Sequence, residues 1–330
     1  MGMNERECIS GGVTAANRGV VIIGTGLIAR FHAQAVNASA KLELRGFVGR
    51  TAEKASACVR EFGGTAWTDL DAALSDPGVG MAVVATASGA HDEAVFAAAR
   101  HRVPVLVEKP IAITVARTDA MIAACRESGT PLGCIFQTRW SDEFAKAKAR
   151  IASGELGTLT YGAIRVPWWR TDDYYVKSSW HGTWGLDGGG ALMNQSIHMV
   201  DWLVALMPDV EDVKAFAATL AHPMEAEDTV SAAIRFRGGA LGGVYATTAS
   251  FPGRGKSMEI TGTKGTIEIS DDGHGVSRPD ALQFANHQAC FEAFADSLEE
   301  GGAPYPIPGE EARKSVDLIE RIYKSAGIRK

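Results

Sequence analysis

A chain of 330 residues that is 46% apolar and 22% charged is too long for one ordinary core and reads as a soluble protein of two domains. A net charge of −6 without any basic run argues against nucleic acid, whose phosphates need Lys and Arg to neutralise them. No window approaches the roughly 18 continuous apolar residues of a membrane span. The five cysteines, Cys8, Cys58, Cys125, Cys134 and Cys290, show no C-x-x-C spacing, so they read as reduced thiols of a cytoplasmic protein with no metal centre.

Residues 1–18 are polar, lack the apolar core of a secretory signal and read as a flexible leader. The β-branched run at 19–24 stops at Gly24-Thr-Gly26-Leu27-Ile28-Ala29, before a helical pattern reaching about residue 38. G-x-G-x-x-A between a strand and a helix is a dinucleotide loop: the first glycine makes the turn, the second admits a pyrophosphate, and the small third residue packs helix on strand. Unpaired N–H groups at the helix start then face the phosphates. After a second strand at 42–48, where an acid would usually hold the adenosine ribose, the chain has Gly49-Arg50-Thr51. Arg50 can pair with a 2′-phosphate, which favours NADP(H) within an NAD(P) assignment, or can simply cover the adenine.

Helical patterns at 55–62 and 69–74 precede a buried strand at 79–86, which ends in small residues around Thr86 with His91 following at a helix start. His91 either touches the cofactor or caps that helix. A fourth strand at 103–107 delivers Glu108-Lys109-Pro110 to the same carboxyl edge, where ligands of open α/β sheets bind. A lysine there can lower the pKa of a substrate hydroxyl and stabilise its alkoxide, although the triplet also suits a surface salt bridge. A helix at 115–127 and a strand at 132–136, followed by Gln137, complete the alternation of strand and helix. The first domain, 19–137, is therefore an α/β Rossmann domain with a doubly wound, mostly parallel sheet.

From 138 to 330 the pattern changes. After Arg139 and a helix at 142–152 come strand-like runs at 158–166, 210–220, 229–237, 240–249, 257–261 and 266–269, several joined by tight glycine turns. They predict an α+β domain with a large open, mostly antiparallel sheet, closed by helices at 289–298 and 309–325. Residues 167–184 hold four of the seven tryptophans and two of the six tyrosines, beside Arg170. Such a loop suits a sugar ring, with Trp168 and Tyr175 stacking and Arg170 bonding hydroxyls, although aromatic packing of a long loop would look similar. At 187–201 three glycines lead into a helix on which Asn194, His198 and Asp201 fall at i, i+4 and i+7 on one line. That line is either a satisfied network, with His198 capped by Asp201, or part of a substrate site.

Taken together, the Gly24 loop, Ala85-Thr86-x-Ser88-Gly89-x-His91, Glu108-Lys109-Pro110, Trp180-x-Gly-Thr-Trp184 and Gly188-Gly-Gly-Ala-Leu-Met-Asn194-Gln-Ser-Ile-His198-x-x-Asp201 resemble the Gfo/Idh/MocA oxidoreductases in kind and order. The resemblance implies hydride transfer between a nicotinamide and a secondary alcohol of a sugar, cyclitol or related compound. It also implies Lys109 and His198 as the acid/base and orienting pair, and assembly into a homodimer or homotetramer through the second sheet. Many relatives carry Asp where this chain has Asn194, Pro in place of Ala87, and Arg in place of His181. The candidate catalytic set is thus Lys109, His198 and Asn194. Cofactor contacts are expected from Gly24, Gly26, Leu27, Ile28, Arg50, Thr86, His91, Glu108, Lys109, Gln137, Trp180 and His181. Substrate contacts are expected from Lys109, Arg139, Trp168, Arg170, Tyr175, Asn194 and His198. Two other readings of the same fold are an NAD-dependent glycosidase and a non-catalytic nucleotide-binding regulator.

Overall fold

Buried along its whole length, β1 (Gly19–Ile23) is the kind of β-branched run that belongs at the centre of a parallel sheet. The computed structural model describes residues 17–270 and 284–328, so most of the expected leader, with Cys8, lies outside the described residues. Around β1 stand β2 (Glu43–Val48), β3 (Thr65–Trp67), β4 (Met81–Val84), β5 (Val105–Glu108) and β6 (Leu132–Ile135), in the order β3-β2-β1-β4-β5-β6. Every pair is parallel. The crossover helices are α1 (Leu27–Ala38), α2 (Ala52–Phe62), α3 (Leu70–Leu74), α4 (His91–His101) and α5 (Val115–Ser128). The strand order reverses between β1 and β4, which opens the crevice expected at a topological switch point.

Two local departures from the sequence pattern have simple causes. The three-residue β3 is mostly exposed and too short for any period to show. Helix α2 begins three residues early because the Thr51 side chain accepts from the Lys54 N–H and caps it.

The second sheet comprises β7 (Leu159–Pro167), β8 (Val210–Ala218), β9 (Thr229–Phe236), β10 (Leu241–Thr247), β11 (Ser257–Gly262) and β12 (Thr266–Ser270), in the order β12-β11-β7-β10-β9-β8. It is antiparallel except where β10 runs parallel to β7, because the first strand of the domain is inserted between two later hairpins. One face is alternately buried through Ile164, Val166, Val230, Ile234, Val244 and Ile260, against the helix α8 (Ile197–Leu206). The other face exposes Tyr161, Phe216 and Leu241. Helix α6 (Asp142–Ala152) enters the domain, and α7 (Asp172–Val176) interrupts the aromatic loop.

The closing helices, α9 (Ala285–Ser297) and α10 (Gly309–Ser325), return to the first domain, packing on α1 and α5 respectively. Arg313 pairs with Asp119, and Arg126 with Glu310. Ahead of α10, the Cys134 N–H donates to the Ile307 carbonyl at 3.0 Å and Gly133 bridges Pro308, which covers the free edge of β6. No helix among the described residues is long and apolar enough to cross a membrane.

Candidate active site

The dinucleotide loop has the features an anion needs. Gly24 adopts φ +130°, and a Cβ there would lie 2.5 Å from the Ala85 carbonyl oxygen, so only glycine fits. At Gly26 a Cβ would meet no protein atom within 4 Å, so its small size serves approach from outside the chain and not internal packing. Helix α1 starts at Leu27 with no capping side chain and no acid in its first turn, leaving its N–H groups and positive dipole end for an incoming phosphate. Leu27 is exposed and Ile28 half-buried at this mouth. Arg50, one residue beyond Gly49 at the end of β2, is exposed and has no carboxylate paired with it among the described residues. At the far side of the crevice the Gln137 Oε1 is buried with no protein donor, an orphan acceptor that an amide N–H would satisfy. The residues present therefore fit a nicotinamide dinucleotide.

Glu108 sets the direction of Lys109. Its carboxylate is 6% exposed, accepting from His32 Nε2 of α1 at 2.9 Å through one oxygen and from the Lys109 N–H at 2.9 Å through the other. Although burial opposes the charge, the His32 bond prevails and holds the Glu108 carboxyl down to about 2. Glu108 is thus buried in a pair with His32 that fixes the strand end. With its backbone so held, Lys109 sends Nζ across to the second domain, donating to the Asn194 carbonyl at 3.1 Å and to Asn194 Oδ1 at 3.4 Å. Burial pushes the Lys109 ammonium below its ordinary value, against the attraction of Glu108 and Asp187.

The polar line expected on one α-helix is reorganised. Ala191–Gln195 winds as a π-helical turn before α8 begins at Ile197, so Asn194 and His198 do not follow α-helical register. Asp201 does not cap His198; it is fully buried and accepts from Arg139 Nε and Nη2, both at 2.7 Å. His198 packs edge-on to Phe136, and its buried Nδ1 has no protein partner. Burial, with the Lys109 and Lys256 charges, pushes His198 well below its ordinary value, so the imidazole is neutral at neutral pH.

Asp187, which opens the glycine stretch and carried no role in the sequence reading, lies under this centre. It is 1% exposed, with one oxygen accepting from the Gly182 N–H at 2.8 Å and the other buried without a protein partner. Burial pushes its carboxyl up to about 6, partly offset by Gly182, Asn194 and Lys109. Because that value exceeds the ordinary 3.8, the folded state holds this proton more tightly than the unfolded chain. The stabilisation is complete below about pH 3.8 and is lost as pH rises through about 6. Asp187→Asn is accordingly expected to raise stability at pH 8 by about 2–3 kcal/mol while removing an acidic limb near pH 6 from kcat/KM. Thermal unfolding at pH 5 and pH 8 checks the first part, since a pH-independent difference would contradict it. Beneath the same stretch Glu227 accepts from the Gly190 and Leu192 N–H groups at 2.9 and 2.8 Å and from the Tyr323 hydroxyl at 2.9 Å, fixing the triple glycine from below.

The aromatic loop brings Arg170 to the same opening. Its guanidinium lies 5.1 Å from the Trp168 ring and 5.5 Å from that of Tyr174, and Nε and Nη2 donate to Gln195 Oε1 at 3.1 and 2.7 Å. Gln195 in turn donates to the Tyr174 hydroxyl at 2.9 Å. His181 stacks on Tyr174 with centroids 4.4 Å apart and planes 5° from parallel, and Trp180 lies against His181 at 4.1 Å. Gln195 was missed in sequence because it ends the π-helical turn, outside an α-helical period, and Tyr174 because its place beside Arg170 depends on how α7 folds within the aromatic loop.

Other expected residues also carry structural bonds. Arg139, its side chain 8% exposed, pairs with Asp201 and with Glu311 at 3.1 Å, which ties α8 to α10. Tyr175 is buried and donates to Thr248 Oγ1 at 2.9 Å. His91 is buried, its ring nitrogens 3.0 Å from the Pro110 carbonyl and 3.2 Å from that of Thr86, so it joins two strand-end loops. Thr86 itself donates its hydroxyl to the Ala90 carbonyl at 3.2 Å.

Residues 18–136 match the oxidoreductase family with an NAD-binding Rossmann fold, and residues 144–268 match the GFO/IDH/MocA C-terminal domain. In three dimensions the chain is similar to the WlbA dehydrogenase from Bordetella pertussis, solved in complex with NADH and UDP-GlcNAcA. The two are 30% identical, with a TM-score of 0.86 over 94% of this chain and 97% of that one. In sequence it is similar to the scyllo-inositol 2-dehydrogenase (NAD(+)) of Bacillus subtilis (strain 168), 28% identical over 75% of this chain and 72% of that protein. The levoglucosan dehydrogenase of Pseudarthrobacter phenanthrenivorans is 27% identical over 88% of this chain and 84% of that protein.

Proposed function

Because the chain belongs to the Gfo/Idh/MocA family of NAD-binding oxidoreductases, we propose that it exchanges a hydride between the dinucleotide and a secondary alcohol of a sugar, cyclitol or sugar derivative, with Lys109 and His198 serving the reacting hydroxyl. The observation that carries this reading is Lys109. Its Nζ is held by Asn194 alone at the carboxyl edge of β5, without a carboxylate partner, on the sheet whose β1 edge bears the uncapped α1 and the open cradle at Gly26. When bound, the nicotinamide supplies the hydride acceptor. As the carbinol carbon loses its hydride, the hydroxyl proton passes to Lys109 Nζ in its neutral amine form, which burial favours by lowering the proton affinity. Neutral His198 orients the oxygen by hydrogen bonding, and Trp168, with Arg170 and Tyr174, forms the wall against which a ring packs. The half-buried Trp180 and His181 flank the cofactor side. Tyr161, Phe216 and Leu241 on the exposed face of the second sheet support self-association into a dimer or tetramer.

Parallel titration of the full chain with NAD⁺ and NADP⁺, followed by a sugar and cyclitol screen read by reduced-nicotinamide absorbance, tests this function. Binding of neither dinucleotide would sink it. Arg50 supports the phosphorylated form, whereas the NADH in the WlbA complex supports the other. NADP⁺ is expected to bind about tenfold more tightly than NAD⁺, and Arg50→Ala to erase that difference. Tighter binding of NAD⁺ overturns the role given to Arg50.

A further inference from the structure

Other arginines packed into this protein are met by carboxylates. Arg139 has Asp201 and Glu311, and Arg117 has Asp92. Arg170 is the exception at the active site. Its guanidinium is half-buried between Trp168 and Tyr174, and no carboxylate pairs with it among the described residues. All its protein acceptors are neutral: Gln195 Oε1 takes Nε–H and one Nη2–H, and the Trp169 carbonyl takes one Nη1–H at 3.3 Å. A guanidinium has five N–H groups, so one on Nη1 and one on Nη2 remain for a ligand, and two such N–H groups can hold a carboxylate. Lys109 also donates to neutral oxygens of Asn194, with Glu108 and Asp187 attracting its charge and Arg170 opposing it. Lys256 adds to the potential at His198.

A chain with 39 acidic and 33 basic residues is not short of partners, so leaving the Arg170 fork without a carboxylate in this opening is a property of that opening. Desolvating a cation costs free energy unless a matching anion completes it. Resting on the dehydrogenase reading above, we propose that the substrate is a sugar acid, whose carboxylate is held by the free Nη1–H and Nη2–H of Arg170 while the hydroxyl to be oxidised faces Lys109. A single planar fork in an aromatic sleeve suits a carboxylate. A phosphate, with three oxygens and up to two charges, would call on more donors than Arg170 has left.

The test uses the full chain loaded with reduced dinucleotide and three matched pairs of probes: glucose and glucuronate, galactose and galacturonate, and UDP-GlcNAc and UDP-GlcNAcA. Dissociation constants come from nicotinamide fluorescence or calorimetry. In at least one pair the acid should bind ten times or more tightly than its neutral partner, and Arg170→Gln should bring that ratio near one without changing dinucleotide affinity. Arg170→Lys, which keeps the charge but loses the fork, should retain part of the preference. Equal or tighter binding of the neutral member in every pair, or no binding of any acid, overturns the proposal on the wild-type protein alone, whatever the variants do. Equal loss of UDP-GlcNAc and UDP-GlcNAcA on Arg170→Gln would assign the anion to the diphosphate and overturn it too. Absence of dinucleotide binding would be a failure of the dehydrogenase reading, whereas turnover of every neutral sugar by a dinucleotide-loaded enzyme with kcat/KM equal to or above that of its acid would refute the sugar acid alone.

Discussion

Lys109→Met is expected to lower kcat by about 10³-fold, within the range that a positioned acid or base supplies, and to leave dinucleotide affinity within about twofold of wild type. Methionine keeps the length and apolar bulk of the lysine stem but cannot exchange a proton. The backbone N–H of residue 109 still bonds Glu108 Oε2, so the strand end keeps its place. What is lost is the Nζ contact to Asn194 and the proton acceptor beside the reacting hydroxyl. Because the interaction belongs to the transition state, kcat and kcat/KM should fall together. A variant that kept more than a tenth of wild-type kcat on its true substrate would move the proton-transfer role off Lys109.

Asp201→Ala should be the most damaging single change to stability, about 3–5 kcal/mol, and should lower Tm by roughly 10 °C. Asp201 is fully buried in α8 and accepts both bonds of the Arg139 fork, and Ser315 of α10 reaches it at 3.4 Å. Removing it leaves the Arg139 guanidinium, 8% exposed, with Glu311 as its remaining charge partner. Replacing both partners by apolar residues of similar size, Arg139→Met with Asp201→Leu, should cost far less, because the penalty lies in the stranded charge more than in the lost attraction. If the double variant were no better than the single one, that account of the pair would be wrong.

Those two residues also show how far the sequence could be read. The strand and helix alternation, the glycine loop and the lysine at a strand end follow from local chemistry, and all are present in the fold where pattern put them. The spacing of Asn194, His198 and Asp201 was real too, but its meaning depended on a π-helical turn that no α-helical period can reveal. Asp201 looked like a partner for His198, whereas its partner sits 62 residues earlier at Arg139. Long-range pairing of that kind has no sequence signature. Asp187 and Gln195 were in plain view, yet the first acquires its character from burial and the second from the side chain it clasps, Arg170, 25 residues away. Tyr175 was chosen for its aromatic neighbourhood, and only the hydroxyl bond to Thr248 turns it inward.

The edge of β6 draws its outer partner from Ile307 and Pro308. During synthesis, at about 5–20 residues per second, the nucleotide-binding half would leave the ribosome roughly 10–40 s before those residues and α10 do. Throughout that interval β6 has bare N–H and C=O groups on one side, and bare strand edges recruit other chains. The nascent protein is therefore most vulnerable to aggregation midway through translation. Chaperone demand should fall sharply once the chain past residue 308 has folded back.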